Sequence, residues 1–285
     1  VWPETSIQKD IWLDKIKYEK PVRDLLKLID SFPNLTIVLG VNGFERYNTK
    51  EEASYTAREF LMGQSVSGGP DTMYYDIYNT ALQIDSSKKL PYYHKSKLVP
   101  GVERMPYPQF FTFLGDKAIE LGGITGSLGT QKTRTVFYNK DSVGIAPVIC
   151  FESVFGEYVS DYVSNGAELI FIITNDGWWG NTSGYQQHCL YGKLRSIETR
   201  RSIARSANTG ISCFINQRGD ISQPTEWRED AVLNATLLAN DDKTFYVEFG
   251  DYLARVALWI SGFLILMTLV SAKIINRKNN KELDN

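Results

Sequence analysis

A cysteine, a lysine and several glutamates in unusual company could do covalent chemistry in this chain. Cys150 closes the apolar run VGIAPVICF, and the CFES turn after it leads into a helix. A thiol at a helix start gains thiolate character from the helix dipole, which a nucleophile requires. Without such company, a cysteine ending an apolar strand is a small core residue. Lys95 stands in PYYHKSKLVPGVERMPY, residues 91–107, a stretch rich in proline and aromatic residues. It reads either as an exposed loop lysine or as a cation held between constrained walls. In the second case it would stabilise the oxyanion formed when a thiolate attacks a carbonyl. Glu103, taken alone, is a surface carboxylate. Glu4, behind Trp2 and Pro3 at a strand end, is either a charge at the start of the following helix or a general base for the thiol.

Elements that would position these groups are legible in the hydrophobic pattern. A helix over 20–31 presents Leu25, Leu26 and Ile29 on one face, and NLTIVLGVN (34–42) reads as a buried strand. Residues 45–72 are polar, end in SVSGGPD and read as a long surface loop; 73–84 resume a strand. Strands are expected near 133–139, 143–151 and 168–176, with a helix over 154–164. Leu190, Leu194, Ile197 and Ala204 recur at helical spacing, predicting an amphipathic helix over 185–206. The charges Arg195, Glu198, Arg200, Arg201 and Arg205 then form its ion-paired face. A strand entering a turn follows at 210–220. Strands alternating with helices imply an α/β sheet covered on its faces. Chemistry then gathers beyond strand carboxyl ends, where Glu4, Cys150, Asn175 and Asp176 fall.

Bulk properties narrow the class. With 285 residues, 43% hydrophobic and 22% charged, the chain is globular, and a net charge of −2 gives no reason to expect nucleic acid. His94 and His188 are far apart in sequence, and Cys150, Cys189 and Cys213 lack CxxC spacing, so neither a metal site nor a disulfide framework is expected. The opening Val1-Trp2-Pro3-Glu4 reads as the exit of a strand whose body lies upstream, and the chain as the C-terminal piece of a longer protein. Between Arg255 and Lys273 run the uncharged residues VALWISGFLILMTLVSA, near the short end of a membrane span. Lys273, Arg277, Lys278 and Lys281 crowd the far end and should stay in the cytoplasm. The expected organisation is therefore a catalytic domain over 1–254, a transmembrane helix over 255–275 and a cytoplasmic tail over 276–285. Trp178, Trp179 and Tyr185 in NDGWWGNTSGY (175–185) are either core anchors or a lid dipping into the lipid interface. Asn175 and Asp176 would hold that loop by local hydrogen bonds, and His188 is structural.

WPE, then YHKxxLVPxxExxP, then ICxE, is the glutamate–lysine–cysteine order of the nitrilase, or carbon–nitrogen hydrolase, superfamily. Within it, the NDGWWG loop, QQH, ETRR and NTGIS resemble the apolipoprotein N-acyltransferase family over essentially the whole chain. The resemblance implies a four-layer α-β-β-α sandwich, here lacking its N-terminal strand and preceding membrane helices. It implies Glu4 as general base, Lys95 as oxyanion stabiliser, Cys150 as nucleophile, Glu103 as second active-site glutamate and Glu152 as the carboxylate after the cysteine. The implied partners are a phospholipid acyl donor and a diacylglyceryl apolipoprotein acceptor, at a bacterial inner membrane with the domain in the periplasm. No metal or organic cofactor is implied. Phe151 stands where many members carry tyrosine, and Arg104 follows Glu103 where tyrosine is common, giving that glutamate an ion-pair partner. A membrane-tethered amidase and a non-catalytic interaction domain are the competing readings.

Overall fold

The computed structural model describes residues 1–64, 70–104 and 127–283. Two sheets are stacked between helices. The first holds β1 (Ile7–Trp12), β2 (Ile37–Tyr47), β3 (Arg58–Gln64), β4 (Pro70–Ile84) and β5 (Tyr92–His94). Its order is β1-β2-β4-β3, with β5 on β4; β1 pairs parallel with β2 and the other pairings are antiparallel. The second runs β11-β10-β9-β8-β7-β6. Its strands are β6 (Phe137–Tyr138), β7 (Gly144–Ile149), β8 (Leu169–Thr174), β9 (Ser202–Ala207), β10 (Cys213–Ile215) and β11 (Ile221–Ser222). β7, β8 and β9 are mutually parallel. All six residues of β7 are buried, as a strand covered on both faces requires.

The helix α1 (Lys20–Ser31) covers the outer face of the first sheet. Val22 and Ile29, two turns apart, are fully buried, with Leu25 and Leu26 packed beside them. Each full burial of this kind contributes about 1.5–3 kcal/mol. β2 lies over β8 and β4 over β7, so Val38, Ala81 and Tyr93 of the first sheet share one core with Val148, Ile170 and Ile203 of the second. The helices α2 (Gly156–Ser164) and α3 (Ser183–Thr199) close the far side, against β7 and against β9 and β10. The result is the nitrilase-like α-β-β-α sandwich. A short helix α4 (Phe245–Phe249) packs on α2 and α3 and leads into α5 (Tyr252–Leu283). Over Tyr252–Ile274, α5 is long and apolar enough to cross a membrane, with mean hydropathy 2.1, and its apolar stretch is unburied, while at its root Arg255 pairs with Glu157 at 2.5 Å.

Two expectations are corrected. Residues 45–72 are no long loop: β2 runs to Tyr47, β3 occupies part of the segment, and β4 pairs with both. These strand ends carry polar and exposed side chains, so composition alone reads as loop; residues 65–69 lie outside the described chain. The helix expected over 185–206 stops at Thr199, where Arg200 turns into the left-handed region (φ 53°). Ser202–Ala207 then pairs with β8 as β9. Leu190, Leu194 and Ile197 face outward, and α3 buries Tyr185, His188, Cys189, Gly192, Arg195, Ser196 and Thr199 instead. Arg201, just before β9, and Arg205, within it, leave the supposed ion-paired face for buried places; of the charges named for that face, Arg195 and Glu198 pair on the helix, at 2.7 Å.

Candidate active site

The parallel strands β7 and β8 end side by side, and the site forms beyond them. Cys150 follows β7 directly and starts a short 3₁₀ turn, Cys150–Val154. Its φ of 48° is costly for a residue with a Cβ, and the surroundings hold it there. Ser153 Oγ donates to the Cys150 carbonyl at 2.7 Å, His188 Nε2 lies 3.1 Å from the same oxygen, and Ile149 N donates to Glu152 Oε2 at 2.9 Å.

Glu4 reaches the site because the first six residues run along β2. Trp2 N donates to Val38 O, Gly40 N to Pro3 O and Ser6 N to Gly40 O. Gly40 makes this approach possible: a Cβ there would lie 2.7 Å from Glu4 Cα. The Glu4 carboxylate accepts from Asn175 N at 2.8 Å, just past the end of β8. Lys95, one residue beyond β5, is fully buried, with Nζ 2.7 Å from Glu103 and 3.4 Å from Glu4. Asn79 Nδ2, from the middle of β4, donates to both glutamates. Glu103 also accepts from Val99 N at 2.7 Å, which folds its loop back on Lys95. Arg104 is exposed, so the ion-pair partner of Glu103 is Lys95 rather than Arg104.

Glu152 ties the two halves of the site together. Fully buried, it accepts from Ile149 N in the Cys150 turn and from Ser96 N beside Lys95, at 2.9 and 2.7 Å. The Tyr93 and Tyr158 hydroxyls complete its shell at 2.6 and 2.7 Å. Burial holds the pKa of its carboxyl above the ordinary range against the pull of these four donors. Phe151 turns away and packs edge-on against Phe155.

Electrostatics set the resting protonation. Burial, then the charge of Glu4, pushes the Cys150 thiol up to about 12, against the opposing pull of Lys95 and of a hydrogen bond with Thr174. The thiol is therefore protonated at neutral pH, and the dipole effect expected at a helix start is absent because α2 begins only at Gly156. Burial alone would discharge Lys95, but Glu4, Cys150 and Glu103 hold it above the ordinary lysine range. A cavity of about 330 Å³ opens in front of the group. Its lining combines the polar Glu4, Asp10, Asn79 and Glu103 with the apolar Phe44, Ile77, Val102, Leu128 and Trp178.

Behind Cys150 lies a second charged group: Asp176, expected to hold its loop by local hydrogen bonds, instead pairs with His188, which is structural as expected, and with Arg205 of β9, a partner that was not anticipated. Asp176 accepts from Arg205 Nη2 at 2.8 Å and pairs with His188 Nδ1 at 2.8 Å, while Thr174 Oγ1 donates to it at 3.0 Å. Burial works against its charge, but His188 and Arg205 together hold the Asp176 carboxyl below the usual range. One ligand-type atom each of Cys150, Asp176 and His188 lies within 4.8 Å of the others. Both His188 nitrogens, however, already bond Asp176 and the Cys150 carbonyl, so the trio supports the turn and presents no free imidazole lone pair. Asn79, a single polar residue inside the 73–84 strand, was the sequence signal for the support of the first group.

In the NDGWWG loop, Asn175 Oδ1 accepts from Gly177 N and Thr209 Oγ1, holding the loop locally as expected. Trp178 and Trp179 are 52% and 43% exposed, Trp178 at the cavity rim. Tyr185 does not share that surface: it is buried in α3 with its ring 4.4 Å from Trp227.

A family model for carbon-nitrogen hydrolase matches residues 53–241, more than half of the chain. The chain belongs to the carbon–nitrogen hydrolase family. Among curated relatives, it is 33% identical over 279 residues to a protein of Chlorobaculum tepidum named apolipoprotein N-acyltransferase, covering 95% of this chain and 49% of that protein. A Thermotoga maritima protein of the same name is 29% identical, with 88% and 49% covered. The chain thus spans about half the length of the curated relatives it matches. Among solved structures, Saccharomyces cerevisiae Nit3, a member of the nitrilase superfamily, aligns with 15% identity and a TM-score of 0.47, covering 74% of this chain and 63% of that one.

Proposed function

We propose that Cys150 carries an acyl chain from a membrane phospholipid to the α-amino group of a lipid-modified N-terminal cysteine of an apolipoprotein. The observation that carries this is the buried Glu4–Lys95–Glu103 group beside a protonated thiol, opening on a cavity lined by both polar and apolar side chains. As Cys150 Sγ attacks the ester carbonyl carbon, its proton passes to Glu4. Lys95 faces the tetrahedral oxyanion. The ester C–O bond breaks, the lysophospholipid oxygen takes the proton from Glu4, and a thioester remains on Cys150. The acceptor amine then attacks that carbonyl and gives a proton to Glu4. The C–S bond breaks, the thiolate recovers the proton, and an amide leaves. Glu103 and Asn79 hold Lys95 and Glu4, and Glu152 fixes the Lys95 segment to the Cys150 turn. The apolar lining takes the start of the acyl chain. The names of the curated relatives support the choice of donor and acceptor.

The same reading makes Tyr252–Ile274 a membrane span, with the domain outside the cytoplasm and Lys273, Arg277, Lys278 and Lys281 inside. Phe245, Phe249 and Tyr252 support it: these exposed rings cluster at the root of α5, where a lipid interface favours aromatic residues. The test is to supply phospholipid and a diacylglyceryl lipopeptide and to weigh the product. One added acyl chain, dependent on Cys150, is expected. Ammonia release from an amide with no lipopeptide acylation would replace this reading with an amidase. A reporter after Asn285 should behave as cytoplasmic; a periplasmic one would invert the topology and remove access to the acceptor.

A further inference from the structure

Cys189 and Cys213 play no part in the reaction above, and both are free thiols, only 2% and 1% exposed. Cys189 lies within α3 and Cys213 opens β10, 24 positions apart in sequence. Packing of α3 on β10 brings their Sγ atoms to 3.8 Å. That is a contact rather than a bond, which is about 2.0 Å long, so closure requires the two side chains, and α3 and β10 with them, to draw together. Arg205 stands opposite Cys213 in the β9–β10 register. Its guanidinium is buried, binds Asp176 through Nη2, and leaves Nε and Nη1 without a partner. A cation with two idle donors beside a thiol pair favours a thiolate, the species that attacks a disulfide. The hydrogen bond between the two thiols, with the charge of Arg205, lowers the Cys189 thiol, while the same hydrogen bond and burial raise Cys213.

We propose that Cys189 and Cys213 are a redox-active dithiol that closes to a disulfide joining α3 to β10, with a low-molecular-mass disulfide as oxidant. The Cys189 thiolate attacks one sulfur of the external disulfide, and the other sulfur leaves as a thiolate. Cys213 passes its proton to that thiolate and attacks Cys189 Sγ. The second external sulfur departs and takes up the proton that Cys189 had released. Two protein thiols become one disulfide, and the external disulfide is reduced to two thiols. The bond would pin α3 next to His188, whose ring contacts the Cys150 carbonyl. This inference stands whatever reaction Cys150 performs. Because both thiols are buried, closure should be slow in the folded chain and fast while α3 is still docking.

The test uses the full chain with Cys150→Ala, which leaves only these two thiols. It is treated with oxidised glutathione, once folded and once while refolding from denaturant, then denatured, alkylated and mapped by mass spectrometry. Closure predicts a loss of two hydrogens, no alkylation and a linked Cys189–Cys213 peptide. Dithiothreitol should restore both thiols and lower the unfolding midpoint by several degrees. With Cys213→Ser added, refolding should stop at one glutathione adduct on Cys189. Two alkylated cysteines after both treatments, or separate glutathione adducts without a link, would overturn the proposal. A Cys189 that stays free in the Cys213→Ser chain would overturn the order of attack.

Discussion

Glu4, Lys95 and Glu103 on one side of Cys150, and Asp176, His188 and Arg205 on the other, are two buried charge clusters that differ in access. In the first, Glu4 and Glu103 line an open cavity and bond the chain at the edges of the site, with Lys95 paired to both. The second is sealed, its side chains at most 3% exposed, and it acts on the cysteine through the backbone carbonyl. A charge facing a cavity can stabilise a charge that develops there, because nothing in the protein has to move away first. A sealed charge cannot meet a substrate, and toward Cys150 it can only hold geometry. Burial alone does not distinguish them: Lys95 is as buried as Arg205.

The largest expected effect belongs to Glu4→Gln, which should lower acyl transfer by roughly 10²–10⁴, the usual range for loss of a positioned base. The same substitution should make the thiol more acidic, since the charge of Glu4 disfavours a thiolate beside it. Ultraviolet titration of the thiolate checks this, and an upward shift would remove Glu4 from the neighbourhood of the thiol. Lys95→Met keeps the apolar stem and should cost roughly 10²–10³ in the acylation rate of the folded protein, together with about 3–5 kcal/mol of stability, because Glu4 and Glu103 lose their buried partner. A wild-type rate would make Lys95 an ordinary buried ion-pair lysine.

Asp176→Asn should act mainly on stability. Breaking a buried pair costs about 3–5 kcal/mol of stability, whereas the rate of the still-folded protein should fall less than tenfold. A larger rate loss than Lys95→Met would erase the distinction between the clusters. The Asp176 carboxyl is depressed in the fold, so its contribution is fully present above the unfolded value of about 3.9 and is lost as pH falls through the folded value. Denaturant titrations should therefore show the advantage of wild type over Asp176→Asn shrinking only below about pH 4. The smallest effect is expected of Trp178→Ala at the cavity rim: a roughly three- to tenfold rise in KM for the phospholipid with little change in kcat.

How much was legible in the sequence follows the same division. The apolar runs around Ile37, Ile145 and Leu169 and the helix over Lys20–Ser31 announced themselves through periodicity, and the family motifs pointed to residues that the fold brings together. Periodicity failed where a buried surface is polar. In α3 the apolar stripe of Leu190, Leu194 and Ile197 faces outward, because the inner face carries the His188 and Arg195 contacts. Arg205 looked like one more helix charge until the left-handed Arg200 ended the helix and turned the chain into a strand. Asn79 was unreadable for a related reason: its role depends on Glu4 and Glu103, which lie 75 and 24 positions away.

The most direct test of the central claim is to locate the acyl intermediate. Protein incubated with labelled phospholipid in the absence of acceptor should be digested and its hydroxylamine-sensitive label mapped among the three cysteines. Label confined to Cys150, and absent from Cys150→Ala, is the predicted result. Label on Cys189 or Cys213, or persisting in Cys150→Ala, would contradict it.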